Sequence, residues 1–233
     1  SGLAKPRLWF WAAVAGLGVA GNFSFYFLSI SEGSVAVAAT LMYCAPVFVF
    51  LVSFAIGLEQ PTPFKCVAIV IVIVGIALLT GIYDVGGSSI TWVGVVAGLL
   101  SGLSYALFIF GFKFAARNGS PQAALVIAFA VLGIVLIWPA SLVQVIAVLG
   151  APEWPMFIAL GVLGGGVSFI SYIVGLKHTV PTVAAVVAMV EPVTATLFGI
   201  VLLNESLGSV QFLGMGLILV TVTALSVYSS KSQ

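Results

Sequence analysis

Long apolar runs, parted by short polar breaks, set the pattern of this chain. Eight runs stand out, at 8–29, 35–57, 64–82, 91–112, 121–147, 155–176, 181–203 and 207–228. About 20 apolar residues in helical form cross the hydrocarbon core of a bilayer. Each run therefore predicts a transmembrane helix, and together they predict an all-α, polytopic membrane helix bundle with eight transmembrane helices. The breaks carry ordinary turn chemistry. "SEGS" (31–34) and "LEQPTP" (58–63) read as short polar turns, and "DVGGSS" (84–89) as a flexible loop. "NGSP" (118–121) supplies a turn, a serine N-cap and a proline at the first helical position. The run 121–147 is long for one span, so Trp138-Pro139 is expected to mark the membrane exit, with a short surface piece after it.

Composition makes the membrane reading firm. Of 233 residues, 62% are hydrophobic and 6% charged, against about 25% charged in soluble domains. A formal net charge of +1 argues for no nucleic-acid partner. The charges also orient the spans. With alternating crossings, Lys5, Arg7, Lys65, Lys113, Arg117, Lys177 and Lys231 all fall on one face. The other face receives Glu32, Asp84, Glu153 and Glu205 and no Lys or Arg. Positive residues mark the cytoplasmic side, so both ends of the chain are expected to be cytoplasmic, in the inner membrane of a bacterium. Trp92 and Trp154 fall at the outer boundary and Trp9 and Trp11 at the inner one, as interfacial anchors do. Cys44 and Cys66 sit in or beside apolar runs without CxxC or metal-ligand spacing, and read as small core residues. No metal and no cofactor is expected.

The chain also matches itself at an offset of 146 positions. At that offset Pro46 meets Pro192, Glu59 meets Glu205, Tyr26 meets Tyr172 and Val37-Ala38-Ala39 meets Val183-Ala184-Ala185. The two copies enter from opposite faces, which is the inverted repeat of many secondary transporters. The predicted division is an incomplete first repeat of three helices (1–82), a linker (83–90) and a second repeat of five helices (91–228). Counterparts of 91–147 would precede residue 1, so the first repeat lacks two N-terminal helices, whether these were removed, stand on a separate fragment or chain, or are absent from a natural eight-helix variant. Pro46 and Pro192 each stand at the middle of a run. Each is expected to break its helix and free the carbonyl four residues earlier, Met42 and Ala188. Freed carbonyls within a bilayer need a partner, whether a neighbouring helix, water or a substrate. A packing kink without a ligand stays open beside a transport site.

These residues resemble the drug/metabolite transporter superfamily, specifically its ten-helix EamA-type branch with YddG-like exporters. The resemblance is carried by "AVAATLMYCAPVFVFLVSFAIGLEQPTPFKCVAIVIVIVGIALL" (36–79) and "TVAAVVAMVEPVTATLFGIVLLNESLGSVQFLGMGLILVTVTAL" (182–225). Each stretch holds small residues, a mid-helix proline, a glutamate at the helix end and a further helix rich in Gly, Ile and Leu. The resemblance implies movement of small metabolites, amino acids prominent among them. The chain departs from the family in showing eight runs rather than ten.

Glu191 is the one ionisable residue in the middle of a run. An acidic side chain there costs about 2.5–3.5 kcal/mol to insert, so it should face the bundle interior or a wet cavity. Contact with a substrate amine, proton coupling, and a protonated group tying helices together all remain open. Asn22, Ser24, Tyr26, Tyr43, Ser101, Ser104, Tyr105, Ser168, Ser171 and Tyr172 are candidates to line a substrate site, with helix–helix hydrogen bonding as the competing role of each. His178, beside Lys177, reads as interfacial. Gly94, Gly98 and Gly102, and again Gly161 and Gly165, recur every four residues and read as close helix contacts. One carboxylate and one histidine give no catalytic cluster, and no GxxxxGK[ST] motif appears. The expected function is secondary transport of small metabolites by alternating access around a site midway through the bilayer. The alternative is a non-transporting membrane scaffold or inactive transporter fragment.

Overall fold

The computed structural model describes residues 5–33, 35–84, 91–137, 146–147, 150–203 and 208–231. Glu205, the Trp138-Pro139 exit and most of the 83–90 linker lie outside these residues. The described chain is helical throughout, as an all-α membrane bundle requires. In order it forms α1 (Pro6–Ser31), α2 (Val35–Met42), α3 (Ala45–Ala55), α4 (Pro63–Leu79), α5 (Trp92–Asn118) and α6 (Pro121–Ile137). There follow α7 (Trp154–Leu160), a π-helical stretch (Gly161–Ser168), α8 (Phe169–His178), α9 (Pro181–Val187), α10 (Val190–Leu203) and α11 (Ser209–Lys231). Among the described residues, Pro6–Ser31, Val37–Ala55, Trp92–Asn118 and Trp154–His178 are long and apolar enough to cross a membrane.

Local chemistry starts these helices where the turn residues predict. Thr62 Oγ1 accepts the Lys65 N–H before α4, and Thr91 Oγ1 accepts the Gly94 N–H at the start of α5. Ser120 Oγ accepts the Ala123 N–H, with Pro121 opening α6. A side-chain oxygen at each N-cap thus takes a donor that the helix itself cannot use. The π-helical stretch was not anticipated. Its sequence, GVLGGGVS, offers four glycines and few side chains to hold a tighter turn, so the backbone widens there.

The chain divides into two compact units, and each draws on separated parts of the sequence. The first takes Ser1–Ala20 and Leu107–Thr179, the second Gly21–Ala106 and Val180–Gln233. In the first unit, Leu8, Ala12, Ala115, Ala124 and Ile127 form a buried cluster against Trp11 and Ala123. Backbones come very close here. A Cβ built on Gly111 would lie 2.5 Å from the Ala15 nitrogen. Phe169 sits among aromatic rings, 5.3 Å from Phe129 and 5.8 Å from Phe112 between centroids.

In the second unit α4 packs along α11, and the crossing is made by Gly75 and Gly214. A Cβ on Gly214 would stand 2.6 Å from the Gly75 carbonyl oxygen. Val72, Ile76, Ile218 and Leu225 are fully buried around that crossing. Lipid tails are as apolar as leucine, so in a bilayer such close packing, rather than escape from water, holds helices together. The Gly94, Gly98 and Gly102 stripe works in this way, against Glu32, Leu41 and Met42. The second predicted stripe does not. A Cβ on Gly165 would meet the Phe129 ring at 3.2 Å, but one on Gly161, at the start of the π-helical stretch, would meet nothing within 4 Å among the described residues.

Candidate functional site

Both proline-bearing runs are interrupted, and at corresponding places. The first breaks at Tyr43 and Cys44, between α2 and α3, and the second at Ala188 and Met189, between α9 and α10. Each break lies just before its proline. A proline ring clashes with the carbonyl four residues back but fits the first turn of a helix, so the chain stops, turns and restarts with Pro46 or Pro192 in the new first turn.

The second break does not leave its expected carbonyl open. Ala188 O accepts the Glu191 N–H at 2.9 Å, and Met189 N–H donates to Val186 O at 3.0 Å. Cys44 N–H likewise donates to Leu41 O at 3.2 Å, and Val47 N–H to Cys44 O at 2.9 Å. Three-residue bonding of the 3₁₀ type takes over where four-residue bonding fails. The expectation of a free Ala188 carbonyl is therefore corrected. The Met42 carbonyl is packed against α5, where a Cβ on Gly102 would meet it at 3.0 Å.

Glu191 falls in the first turn of α10, where the positive end of the helix dipole favours a carboxylate. Its side chain is accessible, yet its charge acts on the hydroxyls of Tyr26 and Tyr43. Tyr43 is itself buried at the first break. All three groups belong to the second unit, drawn from α1, from the first break and from the helix after the second.

The remaining candidates have more local uses. Asn22 Nδ2 donates to Ser101 O and Ser101 Oγ, both at 3.1 Å, while Ser101 Oγ donates back to Asn22 O at 3.0 Å. This buried exchange ties α1 to α5, the competing role recognised for it. Ser104, half-buried, forms the close approach of α5 to Gly21, whose Cβ would lie 2.8 Å from its Oγ. Tyr105 is buried on α5 and Ser24 is exposed on α1. Tyr172 and Ser168 belong to the first unit. The Tyr172 ring packs edge-on to Phe108 at 6.3 Å, and Ser168 is exposed at the end of the π-helical stretch. Ser171 Oγ, in α8, donates back to Val167 O in the π-helical stretch. Pro46 and Pro192 are both buried.

Two charged groups escaped the sequence reading. Lys113, assigned to the cytoplasmic charges, is buried within α5. Glu59, noticed as a repeat partner and as the glutamate at a helix end, is buried and paired with Lys65 at 2.6 Å. A polar residue at the edge of an apolar run gives no sign of which way its helix turns it, so neither could be found by pattern alone.

Comparison with known proteins places the chain. The profile of the EamA-like transporter family matches residues 2–81 and again 92–227. An uncharacterized transporter of Archaeoglobus fulgidus is 31% identical over 198 residues, covering 84% of this chain and 69% of that one. The uncharacterized transporter YxxF of Bacillus subtilis is 27% identical over 209 residues, covering 85% of this chain and 66% of its own length. The chain thus spans 69% and 66% of these two relatives. One crystal structure matches with a TM-score of 0.75 at 19% identity, over 98% of this chain and 79% of that one, a likeness of fold. With both stretches matched, and with relatives that are themselves named transporters rather than enzymes, the chain belongs to the EamA-like transporter family.

Proposed function

We propose that the protein is a secondary transporter that exports small amphiphilic metabolites, amino acids or related compounds, by alternating access around a site in its second unit. The observation that carries this reading is the pair of corresponding helix breaks, with Tyr43 at the first, Glu191 just after the second, and Tyr26 of α1 within reach of the Glu191 charge. Discontinuous helices in corresponding halves are where transporters hold substrate. Glu191 occupies the helix end that would otherwise attract an anion, so the site suits an amine, with the tyrosine rings as an apolar wall. Support for the inverted repeat comes from pairing: α2 packs on α4 as α9 packs on α11, and the second pair is the first displaced along the chain. The test is flux. Purified protein in liposomes, screened with a panel of labelled amino acids and amines, is expected to move at least one down its gradient. Flux no greater than in protein-free liposomes across the panel overturns the reading in favour of a scaffold.

The proposed orientation turns the face that carries the Lys and Arg residues, and both chain ends, toward the cytoplasm. In a variant without Cys44 and Cys66, a cysteine at Asn118 is expected to react with an impermeant maleimide only from the cytoplasmic side. A cysteine at Glu153 is expected to react only from outside. Labelling of both from one side would sink this topology.

A further inference from the structure

Thr62, Thr91 and Ser120 cap α4, α5 and α6 from their own N-cap positions, but α9 begins after Val180, whose side chain has no acceptor. The first N–H groups of a helix find no partner within it. Pro181 has none to satisfy, and the Ala184 N–H already reaches Val180 O at 3.0 Å. The Thr182 N–H is among the donors left between them. It donates to Glu59 Oε1 at 3.1 Å, across 123 positions of chain. The cap of α9 comes from elsewhere in the second unit.

That carboxylate is held from several sides. α3 packs on α9, with Ala45, Pro46, Val49 and Ser53 buried on α3 and Pro181, Thr182, Val183, Ala184, Ala185 and Val186 buried on α9. Past α3, Gly57 turns the chain at φ +69°. Gly57 N–H donates to Phe54 O at 3.1 Å and Leu58 N–H to Ser53 O at 2.9 Å, a Schellman closure that brings the Glu59 N–H to Ser53 O at 3.4 Å. Lys65 Nζ, from the first turn of α4, donates to Glu59 Oε2 at 2.6 Å. The Glu59 side chain is 2% exposed. A buried carboxylate is costly unless it is paired and hydrogen-bonded, and here each oxygen has its donor. α3 follows the first break and α9 precedes the second, so this one side chain ties the two broken runs together.

We propose that Glu59 is the positioning residue of the second broken run: steadied by Lys65, it caps α9 and so fixes the break ahead of Glu191. α9 has seven residues, fewer than two turns. A helix that short has little stability of its own, so a bond at its start bears on its end. The Ala188 N–H, at the break, still depends on Ala184 O. The cap is read without substrate, while its effect on transport rests on the function proposed above.

Hydrogen–deuterium exchange of the full chain in lipid nanodiscs, paired with flux in liposomes, tests it. Glu59→Met keeps the length of the side chain and loses both acceptors. It is expected to speed exchange of amides in 182–191 on the order of tenfold, as loss of a charged cap does. Amides of 121–137 are expected to keep the wild-type rate. Adding Val180→Thr supplies a hydroxyl at the N-cap position itself, in nearly the same side-chain shape. Val180 already has the extended backbone that a cap needs, at φ −72°, ψ 147°. This second change is expected to restore most of the lost protection, which a mere packing defect at Glu59 would not allow. Where Glu59→Met does not fold, Glu59→Met/Lys65→Met leaves neither partner unpaired and carries the same expectation. In flux, Glu59→Met is expected to raise the half-saturating solute concentration several-fold, and Val180→Thr to lower it again. Wild-type exchange over 182–191, no rescue by Val180→Thr, or faster exchange spread evenly along the chain would each overturn the cap. Faster exchange with unchanged flux would overturn the positioning role. Absence of flux in the wild-type protein is a failure of the transport reading, and exchange still decides the cap.

Discussion

Gly214→Ala is expected to strip the protein of much of its stability, and Gly216→Ala, two residues further on, to leave it folded. The new methyl group at 214 would stand 2.6 Å from the Gly75 carbonyl oxygen and 2.7 Å from the Leu79 nitrogen. Both are backbone atoms of α4, so no side-chain rotation relieves the contact. The helices must move apart, and every contact along the crossing loosens with them. Overpacking of well-packed sites costs about 1–3 kcal/mol, and a clash of backbone with backbone belongs at the upper end. A methyl group at 216 would meet nothing within 4 Å among the described residues, and alanine there gains about 1 kcal/mol of helix propensity. Thermal unfolding in detergent, followed by tryptophan fluorescence, reads the difference. Equal midpoints for the two variants would mean that the Gly75–Gly214 crossing does not hold α4 to α11.

That crossing also shows what the sequence makes legible. The apolar runs predict the helices, because a bilayer leaves the backbone almost no other choice. The prolines predict the two breaks, because steric exclusion acts within four residues. Gly94, Gly98 and Gly102 predict a contact stripe, because helical spacing puts them on one face. What lies beyond a few turns is harder to see. Gly75 and Gly214 share no motif and meet through the tertiary fold alone. The two compact units interleave the chain, whereas the repeat reading divides it in order, since similarity along a sequence and contact in space are different relations.

The site was partly legible for the same reasons. Glu191 stood out as a lone carboxylate in an apolar run, and Tyr26 and Tyr43 as amphiphilic rings within one copy of the repeat. Their gathering around one charge depends on how α1 and the two breaks fold together, which residue types do not state. Asn22 and Ser101 illustrate the opposite case. Both have the polarity of ligand contacts, yet each finds its partner in the other. The carbonyl at Ala188 is the clearest correction: counting four residues back from Pro192 finds the atom, but the chain has a second way of bonding it, three residues on.

Glu191 itself should give the sharpest functional result. Glu191→Gln is expected to abolish flux of the transported solute in liposomes, or to remove its dependence on pH, while the protein remains folded and monodisperse. The amide keeps the shape and most hydrogen bonding of the carboxyl and loses only the charge. Among the described residues no hydrogen bond joins the Glu191 side chain to another helix, and the Glu191 N–H is already used by Ala188 O, so removing the charge leaves the break between α9 and α10 intact. A glutamate that served only to join helices would behave differently. Gln would then be nearly silent, and Glu191→Ala would lower the thermal midpoint through the lost tie, by about 0.6–2 kcal/mol for a polar contact in a bilayer. Tyr43→Phe separates the two further. It removes the hydroxyl on which the Glu191 charge acts and keeps the buried ring, so a site built on that pair loses flux without losing stability. Flux and stability unchanged in all three variants would leave the broken helices without a chemical centre, and the transport site would have to be sought elsewhere in the bundle.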